Sequence, residues 1–62
     1  MKFYIEYHYL NEDKIGILEA YDKNEVDQAL MNVIEFPEII NLSTWRYRPA
    51  TLEEIKTIPQ LN

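Results

Sequence analysis

Five apolar side chains, Val26, Ala29, Leu30, Val33 and Ile34, fall at i, i+3, i+4, i+7 and i+8, which is one stripe of an α-helix. In a chain of 62 residues this is the feature that most limits the fold, because a single stripe must be buried against something that is not another helix. Its ends are marked. Asp22 is placed to cap the first turn and Glu25, three residues on, to reach back to it. Phe36-Pro37 stops the helix, since a residue before proline is pushed out of the helical region. The expected helix covers residues 23–35.

The partner surface is a sheet. Residues 2–10 are rich in β-formers, with Phe3, Ile5, Tyr7 and Tyr9 on one parity and Tyr4, Glu6 and His8 on the other, the pattern of a half-buried strand. Asn11-Glu12-Asp13-Lys14 reads as a polar turn into a second strand over 15–21, so the two form a hairpin. Gly16 in that strand points to a bulge or a close approach. A third strand is expected over 39–48, where the apolar parity changes from Ile40 and Leu42 to Trp45 and Tyr47; a bulge near Ser43-Thr44 reconciles the two and turns the arginines outward. Thr51-Leu52-Glu53-Glu54 resembles a capping box opening a short helical turn, and residues 58–62 read as a frayed tail. The fold class is α+β: a single ββαβ domain over 1–62, with a three-stranded antiparallel sheet of order 2-1-3 and one helix packed on one face.

Composition restricts function more than it reveals it. A domain of this length buries only about 60% of its unfolded surface, which leaves little stability to spend on a deep catalytic cavity. The lone His8 has no cysteine or second histidine with which to share a metal, and there is no Gly-rich phosphate loop. No cofactor and no catalysis are expected. The chain lacks cysteine, a signal-peptide layout and any long apolar run, which fits a cytoplasmic protein with no membrane contact. The net charge of −5 is uneven: residues 1–38 carry nine acids against three lysines, and residues 39–62 carry two acids against Arg46, Arg48 and Lys56. Such a chain is repelled by nucleic acid at long range, so a protein partner with basic surface is favoured over direct DNA or RNA binding.

Trp45-Arg46-Tyr47-Arg48-Pro49 is the candidate working surface. Arg46 and Arg48 are the only arginines, and two apart in a strand they stand on one face, where a pair of guanidiniums suits carboxylate or phosphate. Tyr4 and Tyr47 supply the aromatic character that dominates interface energetics. Glu6 and His8 share the parity of Tyr4, and Glu25 and Asp27 supply acids on the helix.

The arrangement resembles the small host RNA polymerase inhibitors of T-odd coliphage podoviruses, which are similarly short, acidic and built ββαβ. Lys2-Phe3-Tyr4 matches a Lys-Phe-aromatic opening; Ala20, Asp22 and Glu25-Val26 line up with Ala-x-Thr-x-x-Glu-Ala; and Arg46-Tyr47-Arg48-Pro49 matches Arg-Val-Arg-Pro in the last strand. The likeness covers roughly residues 2–49. It implies insertion into the DNA-binding cleft of the polymerase, with Arg46 and Arg48 contacting the jaw of the largest subunit. The acidic contact that the family makes from strand one falls here on His8, with Glu6 the nearest acid.

The expected function is therefore a small, acidic, non-catalytic inhibitor, phage-encoded, that occupies a basic cleft of host RNA polymerase. A DNA mimic acting on a nuclease or repair enzyme is the first alternative, and its carboxylates would carry the binding. The second is an oligomerising module whose edge strand pairs with another copy.

Overall fold

The computed structural model describes residues 1–9, 12–33 and 45–62. The elements are β1 (Lys2–Tyr9), β2 (Glu12–Glu19), a 3-10 turn (Lys23–Glu25) that runs into α1 (Val26–Val33), β3 (Arg46–Pro49) and α2 (Leu52–Thr57). The sheet has the order β2-β1-β3 and both pairings are antiparallel, as the sequence predicts.

Cross-strand register sorts the side chains onto two faces. Phe3 lies opposite Leu18, Ile5 opposite Gly16 and also Tyr47, and Phe3 again opposite Pro49. This first face holds the main core: Phe3, Ile5, Tyr7, Leu18 and Ala20 close against Val26 and Leu30 of α1, with Ala29, Val33, Trp45 and Leu61 at its margin. The helical stripe is thus the buried side of α1. At its start the Asn24 N–H donates to the Asp22 carboxylate at 2.9 Å, so the Asp22 cap sits where the sequence places it, while the expected return bond from the Glu25 side chain does not form among the described residues. Ile34, Glu35, the Phe36-Pro37 stop, the first part of the third strand and the bulge at Ser43-Thr44 lie outside the described residues.

Three boundaries differ from expectation. Glu12, Asp13 and Lys14 belong to β2 and not to a turn, because Tyr9 pairs with Glu12, leaving only residues 10 and 11 between the strands. The polar side chains fit there because they meet cross-strand partners: Asp13 lies opposite His8, 2.9 Å from its Nδ1. At the other end β2 stops at Glu19 rather than Tyr21, which is 86% exposed as the chain turns into the Asp22 cap. Third, β3 runs through Pro49, which an edge strand tolerates because the missing N–H belongs to no ladder.

The largest correction concerns the C-terminal segment, which is ordered and structural. α2 opens on a complete capping box, in which Thr51 Oγ accepts from the Glu54 N–H (3.1 Å) and the Glu54 carboxylate accepts from the Thr51 N–H (2.9 Å). The chain starts from β1, where the Ala50 N–H donates to the Lys2 carbonyl (3.0 Å), and arrives at the outer edge of β2. There the Ile17 N–H donates to the Pro59 carbonyl (2.9 Å), and the Leu61 N–H donates to the Ile17 carbonyl (2.7 Å), a parallel bridge between Ile17 and Gln60. Asn62 extends it: the Glu19 N–H donates to Asn62 Oδ1 and Asn62 Nδ2 donates to the Glu19 carbonyl, both at 2.8 Å. Residues 50–62 are therefore a strap over the second face. Ile17, opposite Tyr4 and on that second face, is 1% exposed, so the sheet has hydrophobic cover on both sides.

Gly16 is explained by this strap. A Cβ there would lie 2.5 Å from Leu61 Cγ and 2.6 and 2.8 Å from its two methyls. The glycine is a notch that seats Leu61 against the core. Gly16→Ala is expected to expel Leu61 rather than break the hairpin. Amide exchange should then quicken at Leu61 and Ile17 and stay unchanged in the β1–β2 ladder; uniform acceleration would mean that the glycine serves the whole sheet.

Candidate partner-binding face

On the second face β1 presents Tyr4, Glu6 and His8, and β3 presents Arg46 and Arg48, with Tyr4 opposite Arg48 and Glu6 opposite Arg46. Strand parity puts both arginines on this face, away from the core, as expected. Their situations differ.

Arg48 is occupied within the molecule. Its guanidinium makes a two-pronged pair with Glu54 of α2, Nη1 to Oε1 at 2.8 Å and Nη2 to Oε2 at 2.5 Å, and its Cζ sits 4.4 Å from the centroid of the Tyr4 ring. This fork-to-fork geometry is the strongest form of the Arg–carboxylate bond, and the ring below it adds a cation–π contact. The Glu54 carboxyl is held down to about 2, first by the hydrogen bond from Arg48 and then by that from the Thr51 N–H, while Glu54 raises the basicity of Arg48. The expectation of two free guanidiniums side by side is corrected: the carboxylate that Arg48 selects is its own, and its job is to fasten α2 to the sheet.

Arg46 is the other arginine. It is exposed, and among the described residues no carboxylate lies within ion-pair distance of it. It sits between two open depressions. One, of about 340 Å³, includes Glu6, Asp13, Lys14 and Ile15; the other, of about 230 Å³, includes Tyr4, Glu6 and Arg48. Ile15 is half exposed beside it, and farther along the face His8 contacts Asp13. The strap covers the Tyr4–Ile17 end of this face and leaves the Glu6–Arg46–Ile15 end open.

The structure thus brings together Tyr4, Glu6, Arg46 and Arg48, with His8 on the same face. It separates three others. Tyr47 points to the first face, edge-on to Phe3 at 6.0 Å and 79°, and is 42% exposed. Glu25 and Asp27 are exposed at the start of the helical segment that packs on the first face. Sequence reasoning missed Glu54, whose capping role is legible in Thr51-Leu52-Glu53-Glu54, but whose pairing with Arg48 depends on how the chain turns after Pro49. It also missed Asp13 and Ile15, which it placed in a turn and in an undistinguished strand position. Among the described residues no cluster of three His, Asp or Glu side chains is arranged to hold a metal, and no helix is long and apolar enough to cross a membrane.

The Arg48–Glu54 pair has a defined acid response. A carboxyl whose folded pKa is depressed stabilises the fold above the ordinary carboxylate range and loses that contribution as pH falls toward its folded value. Urea midpoints for wild type and Glu54→Gln should therefore differ most above pH 5 and converge between roughly pH 4.5 and 2. A gap that stays constant down to pH 2 would show that the pair contributes nothing that titrates. No family model matches the chain, and neither a curated protein nor a solved structure matches it.

Proposed function

We propose that the chain is a small, acidic, non-catalytic protein-binding inhibitor, phage-encoded, that occupies a basic cleft of a host protein. Host RNA polymerase, through its largest subunit, is the target named by the resemblance in residues 2–49. The observation that carries the reading is Arg46: an exposed guanidinium on an open sheet face, flanked by Glu6 and half-exposed Ile15, which together make a small charged and apolar contact surface. With Arg48 engaged by Glu54, the partner-facing role falls on Arg46, supported by Tyr4, Glu6 and His8. The net charge of −5 favours approach to a positive cleft and disfavours direct contact with nucleic acid. The compartment is the host cytoplasm.

A DNA-mimic reading has its own support. Glu25 and Asp27 are exposed on the helical side, away from the arginines, so acidic surface is presented independently of the Arg46 face. The two readings call for different variants. Pull-downs from bacterial lysate with wild type, Arg46→Glu, and Glu25→Gln with Asp27→Asn should retain polymerase subunits on wild type and on the helix variant, and lose them on Arg46→Glu. Loss of one buried charge pair at an interface costs about 2 to 5 kcal/mol of binding. The thermal midpoint of Arg46→Glu should fall only slightly, by the cost of a second carboxylate opposite Glu6 on an exposed strand pair, so that lost retention reads as a lost contact and not as unfolding. Unchanged retention by Arg46→Glu sinks the proposal, and loss only on the helix variant transfers it to the mimic.

A further inference from the structure

The first face of the sheet is left open at one corner. Met1, Phe3, Tyr47 and Pro49 wall a hollow of about 480 Å³ beside the 3-10 turn that precedes α1. Phe3 is buried beneath it, Tyr47 stands edge-on to Phe3, and Met1 is 61% exposed. Most of the charge at the rim is already engaged: Asp22 accepts from the Asn24 N–H and Arg48 is held by Glu54. Lys23 makes no ion pair among the described residues. The hollow therefore suits an aromatic ring, which meets two other rings and a thioether, with a carboxylate beside it for Lys23.

The chain carries such a side chain itself. Tyr21, between Ala20 and Asp22, is 86% exposed, more than any other large apolar side chain among the described residues. It borders a separate depression with Glu25 and Ala29, and does not line the hollow of its own chain. Pairing of sheet edges offers no competing contact. The β2 edge is covered by residues 59–62. At β3, the bond from the Ala50 N–H to the Lys2 carbonyl turns the Tyr47 peptide groups outward by alternation. Antiparallel self-pairing about Tyr47 sets Arg46 opposite Arg48 of the second copy, a like-charge pairing that destabilises it.

We infer that this corner is a self-complementary contact between two copies of the chain: Tyr21 of each enters the hollow of the other, and Glu25 of each meets Lys23 of the other. Ring and hollow flank the same short turn, so the contact is reciprocal and closes as a two-fold dimer. A tyrosine buries about 150 to 250 Å². Two such insertions make an interface of the small, transient class, below about 1,200 Å² in total, so the dimer forms at high protein concentration. The inference does not rest on the polymerase reading, since the hollow is on the first face and Arg46 on the second.

The test is sedimentation equilibrium on the full chain from about 20 μM to about 1 mM, the range in which a contact of this size assembles. The mean mass of wild type should rise toward twice that of the monomer. In a mixture of isotope-labelled and unlabelled chains, cross-chain NOEs should join the Tyr21 ring to the Met1 methyl and the Tyr47 ring. Tyr21→Ala and Lys23→Glu should each stay at the monomer mass across the range. Both residues are exposed, so the amide spectra of the variants should match that of dilute wild type away from the substituted position. A wild type that stays monomeric at the highest concentration overturns the inference. So does a dimer that Tyr21→Ala leaves intact, which places the contact elsewhere on the surface.

Discussion

A three-stranded sheet has two faces, and the sequence contains one helix with a long apolar stripe. That mismatch governs the structure. α1 closes one face over Phe3, Ile5 and Leu18, and the other face would leave Ile17 and Tyr4 in water. The C-terminal strap resolves this with little material: one capped turn of helix, a parallel bridge and a leucine returned to the first face over Gly16. Much of the polar chemistry of the second face is recruited to hold it.

Arg48 shows how this economy shapes the candidate site. A strand arginine beside an aromatic ring is a common interface device, and here the same geometry is turned inward. Tyr4 supports the guanidinium from below, Glu54 grips it at two points, and Thr51 orients Glu54. The carboxylate serves at once as helix cap and as anchor. Arg46, two residues earlier on the same face, is left beyond the reach of the strap. Neighbouring identical residues therefore divide into a structural and a surface role, and the division follows from the length of chain between Pro49 and Glu54.

Much of this was legible in the sequence. The period of Val26, Ala29, Leu30 and Val33, the Asp22 cap and the alternation of β1 are local signals, and local signals specify local structure well. The strand order followed from the avoidance of a tight parallel crossover. What was not legible depended on contacts between distant residues. The end of the strap, residues 58–62, was read as frayed because Pro59, Gln60 and Asn62 carry weak propensities of their own; its order comes from β2, some 43 residues away in the case of Glu19 and Asn62. Gly16 was read as a bulge or a close approach; the register through it is regular, so the close approach holds, and only the fold identifies Leu61 as what approaches. The start of β2 was missed because Glu12, Asp13 and Lys14 look like a turn until cross-strand partners are supplied.

The central position of β1 also orders events in time. Its pairing with β2 is local, whereas its pairing with β3 joins residues at least 40 positions apart along the chain, from Glu6 with Arg46 to Phe3 with Pro49. Closing so long a loop costs entropy before any contact compensates, and non-local pairings of this kind slow folding. Contact locality favours the hairpin and α1 over β3 and the strap, whose pairings are non-local. Arg46 rides on that strand, so the face that it occupies depends on the distant pairing with β1 and not on the hairpin alone.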